Sequence, residues 1–265
     1  MSILDEIVAD KQKEVAERKE FFPTKLLEQS PYFEGKPVSM KKYVQREDKV
    51  GVIAEFKRQS PSKGVINGSA KVEKVSIGYM QAGASGLSVL TDKKYFGGKS
   101  EDLITARNYN FCPILRKDFM IDEYQVIEAK SIGADIILLI AACLSPNEIK
   151  LLADRAKSLG MEVLLEVHNE DELNRSLIDG VDLVGVNNRN LGTFVTDVNT
   201  SRELAEKIPD QFVKVSESGI SDPETIIDLM SYGFEGFLIG ENFMSKSSPE
   251  RSCREFIQKV NELKA

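Results

Sequence analysis

Val52-Ile53-Ala54-Glu55-Phe56-Lys57-Arg58-Gln59-Ser60-Pro61-Ser62-Lys63-Gly64 opens as a buried strand and ends as a loop. Its first residues are apolar and β-branched, with two charges near the carboxyl end. Glu55 and Lys57 are two apart, so on a strand they point to the same face. An inward carboxylate and ammonium on a parallel strand are costly unless something there needs them. Ser60-Pro61-Ser62-Lys63-Gly64 then breaks the pattern and opens a connection longer than most strand-to-helix loops. Taken alone, the stretch reads equally well as the first wall of an active site or as an edge strand ending in solvated charge.

The rest of the chain decides between these. From Gly51 onward, short apolar runs alternate with helical stretches. The runs are Val52–Phe56, Leu87–Leu90, Pro113–Leu115, Ile136–Ile140, Val163–Val167, Leu183–Val186, Phe212–Val215 and Phe237–Ile239. Each is nearly continuous in Val, Ile and Leu, as parallel strands covered on both faces require. Helix starts are readable between them. Ser145-Pro146-Asn147-Glu148 is a capping box with proline at the first helical position, Asn169 with Glu172 and Ser221 with Glu224 repeat its spacing, and Ser248-Pro249 opens the last helix. Gly83, Gly133, Gly180 and Gly233 stand before every second strand, roughly 50 residues apart, where a left-handed stop would end a helix. Four such strand-helix-strand-helix units make a (β/α)8 TIM barrel. An open dinucleotide-binding sheet is the rival, and no GxGxxG follows any strand.

Before the barrel, Leu4, Ile7, Val8 and Val15 fall on one face of an amphipathic helix, and a weaker helix fits between Phe21-Phe22-Pro23 and Pro31-Tyr32-Phe33. Residues 1–48 thus read as an N-terminal helical extension of a single barrel domain spanning 1–265. Acids at positions 5, 6, 10 and 14 argue against a targeting peptide, and the longest apolar run, 136–144, is too short to span a bilayer. A formal net charge of −7 speaks against nucleic acid as partner. Cys112, Cys143 and Cys253 are scattered and form no CxxC pair, which suits a reducing cytoplasm and offers no zinc signature.

In a barrel, functional groups collect at the carboxyl ends of the strands. Those ends carry Glu55 and Lys57, Lys117, Glu166, Asn187-Asn188-Arg189, Glu217-Ser218-Gly219 and Gly240-Glu241-Asn242. Three cations and three carboxylates therefore face one pocket, a set suited to general acid–base work. Ser218-Gly219 and Gly240-Glu241, after adjacent strands, suit a phosphate cup built from backbone N–H groups, with the Glu241 side chain turned away from the anion. Phe96, Phe119 and Leu138 would line the pocket for an aromatic ring, although core packing explains the two phenylalanines equally well. His168 reads as structural, and Arg116 and Asp118 as outward-facing supports of Lys117.

These motifs resemble those of the indole-3-glycerol phosphate synthase family. The likeness lies in Ala54–Ser62, Leu115-Arg116-Lys117-Asp118-Phe119, Asn187-Asn188-Arg189, Glu217-Ser218-Gly219-Ile220, Leu238-Ile239-Gly240-Glu241 and the extension Ile3–Lys19, in the family's order. Gln59 and Lys99 depart from its commoner residues, both in loops. The resemblance implies a carboxy-lyase of tryptophan biosynthesis, cytoplasmic and without cofactor or metal. It would close the ring of 1-(2-carboxyphenylamino)-1-deoxyribulose 5-phosphate with loss of carbon dioxide and water. It further implies Lys117 as general acid and Glu166 as general base. Lys57 would bind phosphate and substrate carboxylate, with Glu55 holding it in place. Asn187 and Arg189 would position the anthranilate portion, with Glu217 as polar support. Ser60, Phe96, Phe119 and Leu138 would contact substrate, and Ser218, Gly219, Gly240 and Glu241 the phosphate. The expected partner is a phosphorylated small molecule, not a membrane or nucleic acid, with the chain a monomer or weak homodimer. The competing readings are phosphoribosylanthranilate isomerase or another ribulose-phosphate barrel, a Schiff-base aldolase using Lys117 or Lys57, and a non-catalytic phosphate-binding barrel.

Overall fold

The computed structural model describes residues 3–265. Met1 and Ser2, the first residues of the expected extension, lie outside it. Eight parallel strands close into a barrel: β1 (Val52–Phe56), β2 (Gly86–Leu90), β3 (Ile114–Lys117), β4 (Ile136–Ile140), β5 (Glu162–Val167), β6 (Leu183–Asn187), β7 (Val213–Glu217) and β8 (Phe234–Ile239). The seam is made by β1, which pairs with β2 (Ala54 opposite Leu87) and with β8 (Val52 opposite Phe237).

Three helices precede the barrel: α1 (Ile3–Phe21), α2 (Thr24–Leu27) and α3 (Met40–Val44). The barrel helices are α4 (Val72–Gln81), α5 (Ser100–Tyr109), α6 (Glu123–Ser131), α7 (Pro146–Ser158), α8 (Glu170–Ser176), α9 (Asn199–Ala205), α10 (Pro223–Ser231), α11 (Glu241–Met244) and α12 (Pro249–Lys264). Among the described residues no helix is long and apolar enough to cross a membrane.

The continuous apolar runs conceal two alternating sets. Ile53, Leu115, Ile136, Leu138, Leu164, Leu183, Val213, Val215 and Leu238 fill the barrel interior. Their neighbours Val52, Ala54, Ile114, Ile137, Leu139, Val163, Leu165, Val184 and Val186 pack outward against the helices. Both faces are buried, so both are apolar, and the period of two is invisible until a charge interrupts it. Below the interior set, Met40 and Val44 of α3 plug the barrel floor; a Cβ on Gly86 would meet Met40 Sδ at 2.5 Å.

Gly83, Gly133, Gly180 and Gly233 all have positive φ, between 84° and 104°. Gly83, Gly133 and Gly233 end helices before their strands as the repeat requires, whereas Gly180 turns the chain four residues after α8 has ended at Ser176. The Ser145 capping box is formed, with Glu148 bonding back to the Ser145 N–H. One cap differs from expectation. Asp222, not Ser221, occupies the N-cap of α10, because Pro223 takes the first helical position and Ser221 Oγ bonds the Asp222 carboxylate instead. Lys99 stands at the N-cap of α5 and supplies no side-chain cap.

Two boundaries move for one reason. β3 runs on through Arg116-Lys117 and β7 through Ser216-Glu217, because ladder bonds continue where the apolar run stops. The loop after β1 is not featureless either: Gln59–Ser60 pairs with Gly64–Val65 in a small antiparallel hairpin. Arg58 anchors its base through a fork onto Asp102 of α5 and over the Phe56 ring.

The extension docks through polar groups as well as its apolar stripe. Ile7 and Val15 are buried as expected, but between them Lys11 is buried too, its Nζ 2.8 Å from Asp92 and 3.0 Å from Asp118. Burial alone would lower the Lys11 proton affinity; Asp118 and Asp92 more than offset it, and the Lys11 pKa is raised. At the other end of α1, Arg18 pairs with Glu128 and Lys19 with Asp122, both at α6.

Candidate active site

A cavity of about 710 Å³ opens at the carboxyl end of the barrel. Of the residues read at the strand ends or from the family likeness, Glu55, Lys57, Ser60, Phe96, Lys117, Phe119, Leu138, Glu166, Asn187, Arg189, Glu217, Ser218, Gly219, Gly240 and Glu241 line it, whereas Asn188 is buried against Ser216 and Ser201 instead. The alternation explains this convergence. On β1, β3, β5, β6 and β7 the inward set ends at Glu55, Lys117, Glu166, Asn187 and Glu217, one step above the apolar interior layer.

Lys117 stands at the centre. Its Nζ lies 2.8 Å from Glu166 Oε2 and 2.5 Å from Glu217 Oε2, tying three strands together. Burial works against the ammonium, yet Glu166, Glu217 and Glu55 more than offset it, so Lys117 holds its proton well above the usual lysine range. The two carboxylates respond in opposite directions. Burial raises the Glu166 pKa, but Lys117 and then His168 outweigh that, and the net shift is down. At Glu217 burial prevails over Lys117, with Glu166 and Glu55 adding like-charge repulsion, and the net shift is up. Glu217 Oε1 is buried without a hydrogen-bond partner among the described residues, which is consistent with that cost.

Around this centre, Asn187 Nδ2 donates to Glu166 Oε1 at 3.1 Å, and Asn187 Oδ1 accepts the Arg189 N–H. Lys57 Nζ lies 2.8 Å from Glu55 Oε1, so the two side chains share the inward face as their spacing requires. The Phe96 and Phe119 rings face one another at 6.1 Å between centroids and line one wall. Both therefore border the cavity rather than only the core.

Ser218 and Gly219 have φ of 66° and 76°, two successive left-handed residues just after β7. Such a conformation is strained at Ser218, which has a Cβ. Gly240 is constrained from an unexpected direction: a Cβ there would come 2.3 Å from Glu55 Oε1. The Glu241 carboxylate accepts from Arg189 at 3.2 Å and lies 3.7 Å from Lys63, two cations that flank the mouth.

Several lining residues carry no sequence signal of their own. Ile3, Leu4 and Ile7 of α1 close one side, and Leu191, Phe194 and Thr196 another. Gly185 in β6 makes the space that Glu217 occupies; a Cβ there would meet Glu217 Oε1 at 2.3 Å. His168, read as structural, lies with Nε2 only 3.4 Å from Glu166. Arg116 and Asp118 do face outward, where Arg116 pairs with Glu128 and Asp118 with Lys11. Among the described residues no group of three or more His, Cys, Asp or Glu side chains is placed to hold a metal ion.

Comparison with known proteins adds the following. The family model described as indole-3-glycerol phosphate synthase matches residues 4–256. An indole-3-glycerol phosphate synthase of Bacteroides thetaiotaomicron is 48% identical over 97% of this chain and 98% of its own length. One of Caldanaerobacter subterraneus is 41% identical over 97% and 98%, and one of Aliarcobacter butzleri 40% over 98% and 100%. Among solved structures, a thiamine phosphate pyrophosphorylase from Pyrococcus furiosus matches with a TM-score of 0.60 at 14% identity, over 82% of this chain and 98% of that one. At that identity the likeness speaks for the barrel alone.

Proposed function

The chain belongs to the indole-3-glycerol phosphate synthase family, and on that premise we propose how its own residues divide the work of closing an indole ring. The reaction is a decarboxylating, dehydrating cyclisation: an aromatic carbon attacks a carbonyl carbon, carbon dioxide leaves, and water leaves last. Lys117 is the general acid. The observation that carries this is its placement, half-buried, between Glu166 and Glu217 at the centre of the cavity. A cation fixed there stabilises the oxygen on which negative charge develops, and the proton follows. A Schiff-base role would require a neutral amine, and the flanking carboxylates push the other way.

Glu166 is the general base of the dehydration, aimed by Asn187. Lys57 meets the substrate's anionic groups, with Glu55 orienting it. Phe96, Phe119 and Leu138 offer apolar surface to the aromatic ring, Arg189 its carboxylate partner, and Ser60 a hydroxyl at the rim. The successive left-handed Ser218 and Gly219, with the Gly240-Glu241 turn, receive the phosphate through backbone N–H groups. Glu241, paired to Arg189 and Lys63, contributes its N–H and keeps its carboxylate on those cations. The enzyme acts in the cytoplasm, a reading its three free thiols favour, and the expected assembly is a monomer or weak homodimer.

The test is direct. Purified protein given the carboxyphenylamino substrate should release carbon dioxide and develop indole fluorescence. Lys117→Ala should reduce kcat by about 10²–10⁴-fold with substrate affinity nearly kept, and Glu166→Gln should slow turnover without unfolding the barrel. Near-normal turnover in either variant would remove that residue from its role.

A further inference from the structure

The chain has one histidine, and the roles above leave it unused. His168 follows Glu166 by two residues, just beyond the end of β5. Glu172, in the first turn of α8, fixes that ring from behind. Its Oε2 lies 3.0 Å from Nδ1 and accepts the His168 backbone N–H at 2.9 Å, while Oε1 accepts from Asn169 at 3.0 Å. A carboxylate can only accept, so Nδ1 carries a proton. Nε2 is then the working end. It is buried, has no hydrogen-bond partner among the described residues, and stands 3.4 Å from Glu166 Oε1.

We propose that His168 is a positioning residue for Glu166, clamped by Glu172 and keeping the Glu166 carboxylate charged and aimed while Lys117 gives up its proton. The inference rests on the reading of Glu166 as general base. In the resting pocket Glu166 faces the Lys117 ammonium at 2.8 Å and the neutral Asn187 amide at 3.1 Å. Once Lys117 has protonated the substrate carbonyl, that cation is gone, and Glu217 still presses a second carboxyl on the pair. An imidazolium N–H at Nε2 is the charge that remains on Glu166.

The surroundings favour the imidazolium. Burial lowers the His168 pKa, but Glu172 and Glu166, with Glu217 behind them, more than offset it, and the net shift is upward from 6.5. From β4's far end the Cys143 thiol faces the same carboxylates and is pushed up to about 12, by burial first, then by Glu166, Glu172 and Asp5 of α1, so it stays neutral. Asp197, before α9, lines a second small cavity with His168 and adds negative charge on that side. With a raised folded value, the imidazolium persists to higher pH than a free histidine's and is lost as pH climbs through that value.

As the lone histidine, His168 gives unambiguous ring signals by NMR. Its midpoint should lie above 6.5 in the native enzyme and fall in both Glu172→Gln and Glu166→Gln. Native kcat should drop about tenfold as pH rises through that midpoint. His168→Gln should show the loss already below that midpoint, with no step and KM within about twofold. A His168→Gln profile parallel to the native one, the mark of mere packing, overturns the proposal, as does a midpoint indifferent to Glu166→Gln. Should His168→Gln fail to fold, the step in Glu172→Gln must move to lower pH with the NMR midpoint, and an unmoved step overturns it equally. Full turnover in Glu166→Gln would instead fell the general-base reading, whereas an inactive Glu166→Gln beside a parallel His168→Gln profile fells the positioning role alone.

Discussion

Glu217 reaches Lys117 only because residue 185, on the neighbouring strand, has no side chain. An added Cβ would approach Glu217 Oε1 to 2.3 Å and Leu164 Cδ1 to 3.2 Å. Gly185→Ala should therefore push Glu217 off Lys117, costing about 1–3 kcal/mol of stability and at least about tenfold in kcat. Urea unfolding beside steady-state kinetics checks both, and native kcat in the variant would show that the placement of Glu217 is not demanding. Gly240 stands in the same relation to Glu55. The catalytic charges are legible in the sequence because each interrupts an apolar run at a strand end. Their glycine partners are not, because the reason for them lies across the sheet on another strand. His168 is hidden for a similar reason: its clamp, Glu172, belongs to the next helix, and its spacing from Glu166 alone does not say which way the ring turns.

Among the elements, α1 was the easiest to recognise and the hardest to read in full. Its apolar stripe announces a docking helix, but Lys11, on that same stripe, looks like a solvent-facing interruption. Its partners Asp92 and Asp118 are far away in sequence and lie beyond the ends of β2 and β3, the latter next to Lys117. Lys11→Met would leave Asp92 buried with no cation among the described residues, and breaking such a pair costs about 3–5 kcal/mol. The expected result is a lowered urea midpoint together with reduced kcat, since Asp118 and Lys117 are adjacent. An unchanged midpoint would mean that α1 is held by its apolar residues alone. Asp118 is held down to about 2, with burial opposed first by Lys11 and then by Arg116. A depressed carboxylate stabilises the fold above its unfolded value near 3.8 and loses that contribution as pH falls toward 2. The hairpin after β1 left no trace in the sequence, because two-residue strands are too short to show a period.

The whole molecule was legible because its repeat is. Every second strand is preceded by a left-handed glycine, and every strand is apolar on both faces, so architecture followed without any knowledge of register. Which faces alternate, where strands end and how the first strand meets the last came only from the ladders themselves. That meeting has a consequence for how the protein is made. The first strand of the barrel completes its pairing with the last, Val52 against Phe237. A ribosome adding about 5–20 residues per second thus releases β1 many seconds before its second neighbour exists. During that interval one edge of β1 offers unpaired N–H and C=O groups to any passing strand. A chain stopped at residue 230 should accordingly be collapsed but sticky, precipitating or binding chaperones where the full chain stays in solution, and sedimentation of the two side by side would test it. Translation must therefore outlast a vulnerability that only the final two helices and the eighth strand remove.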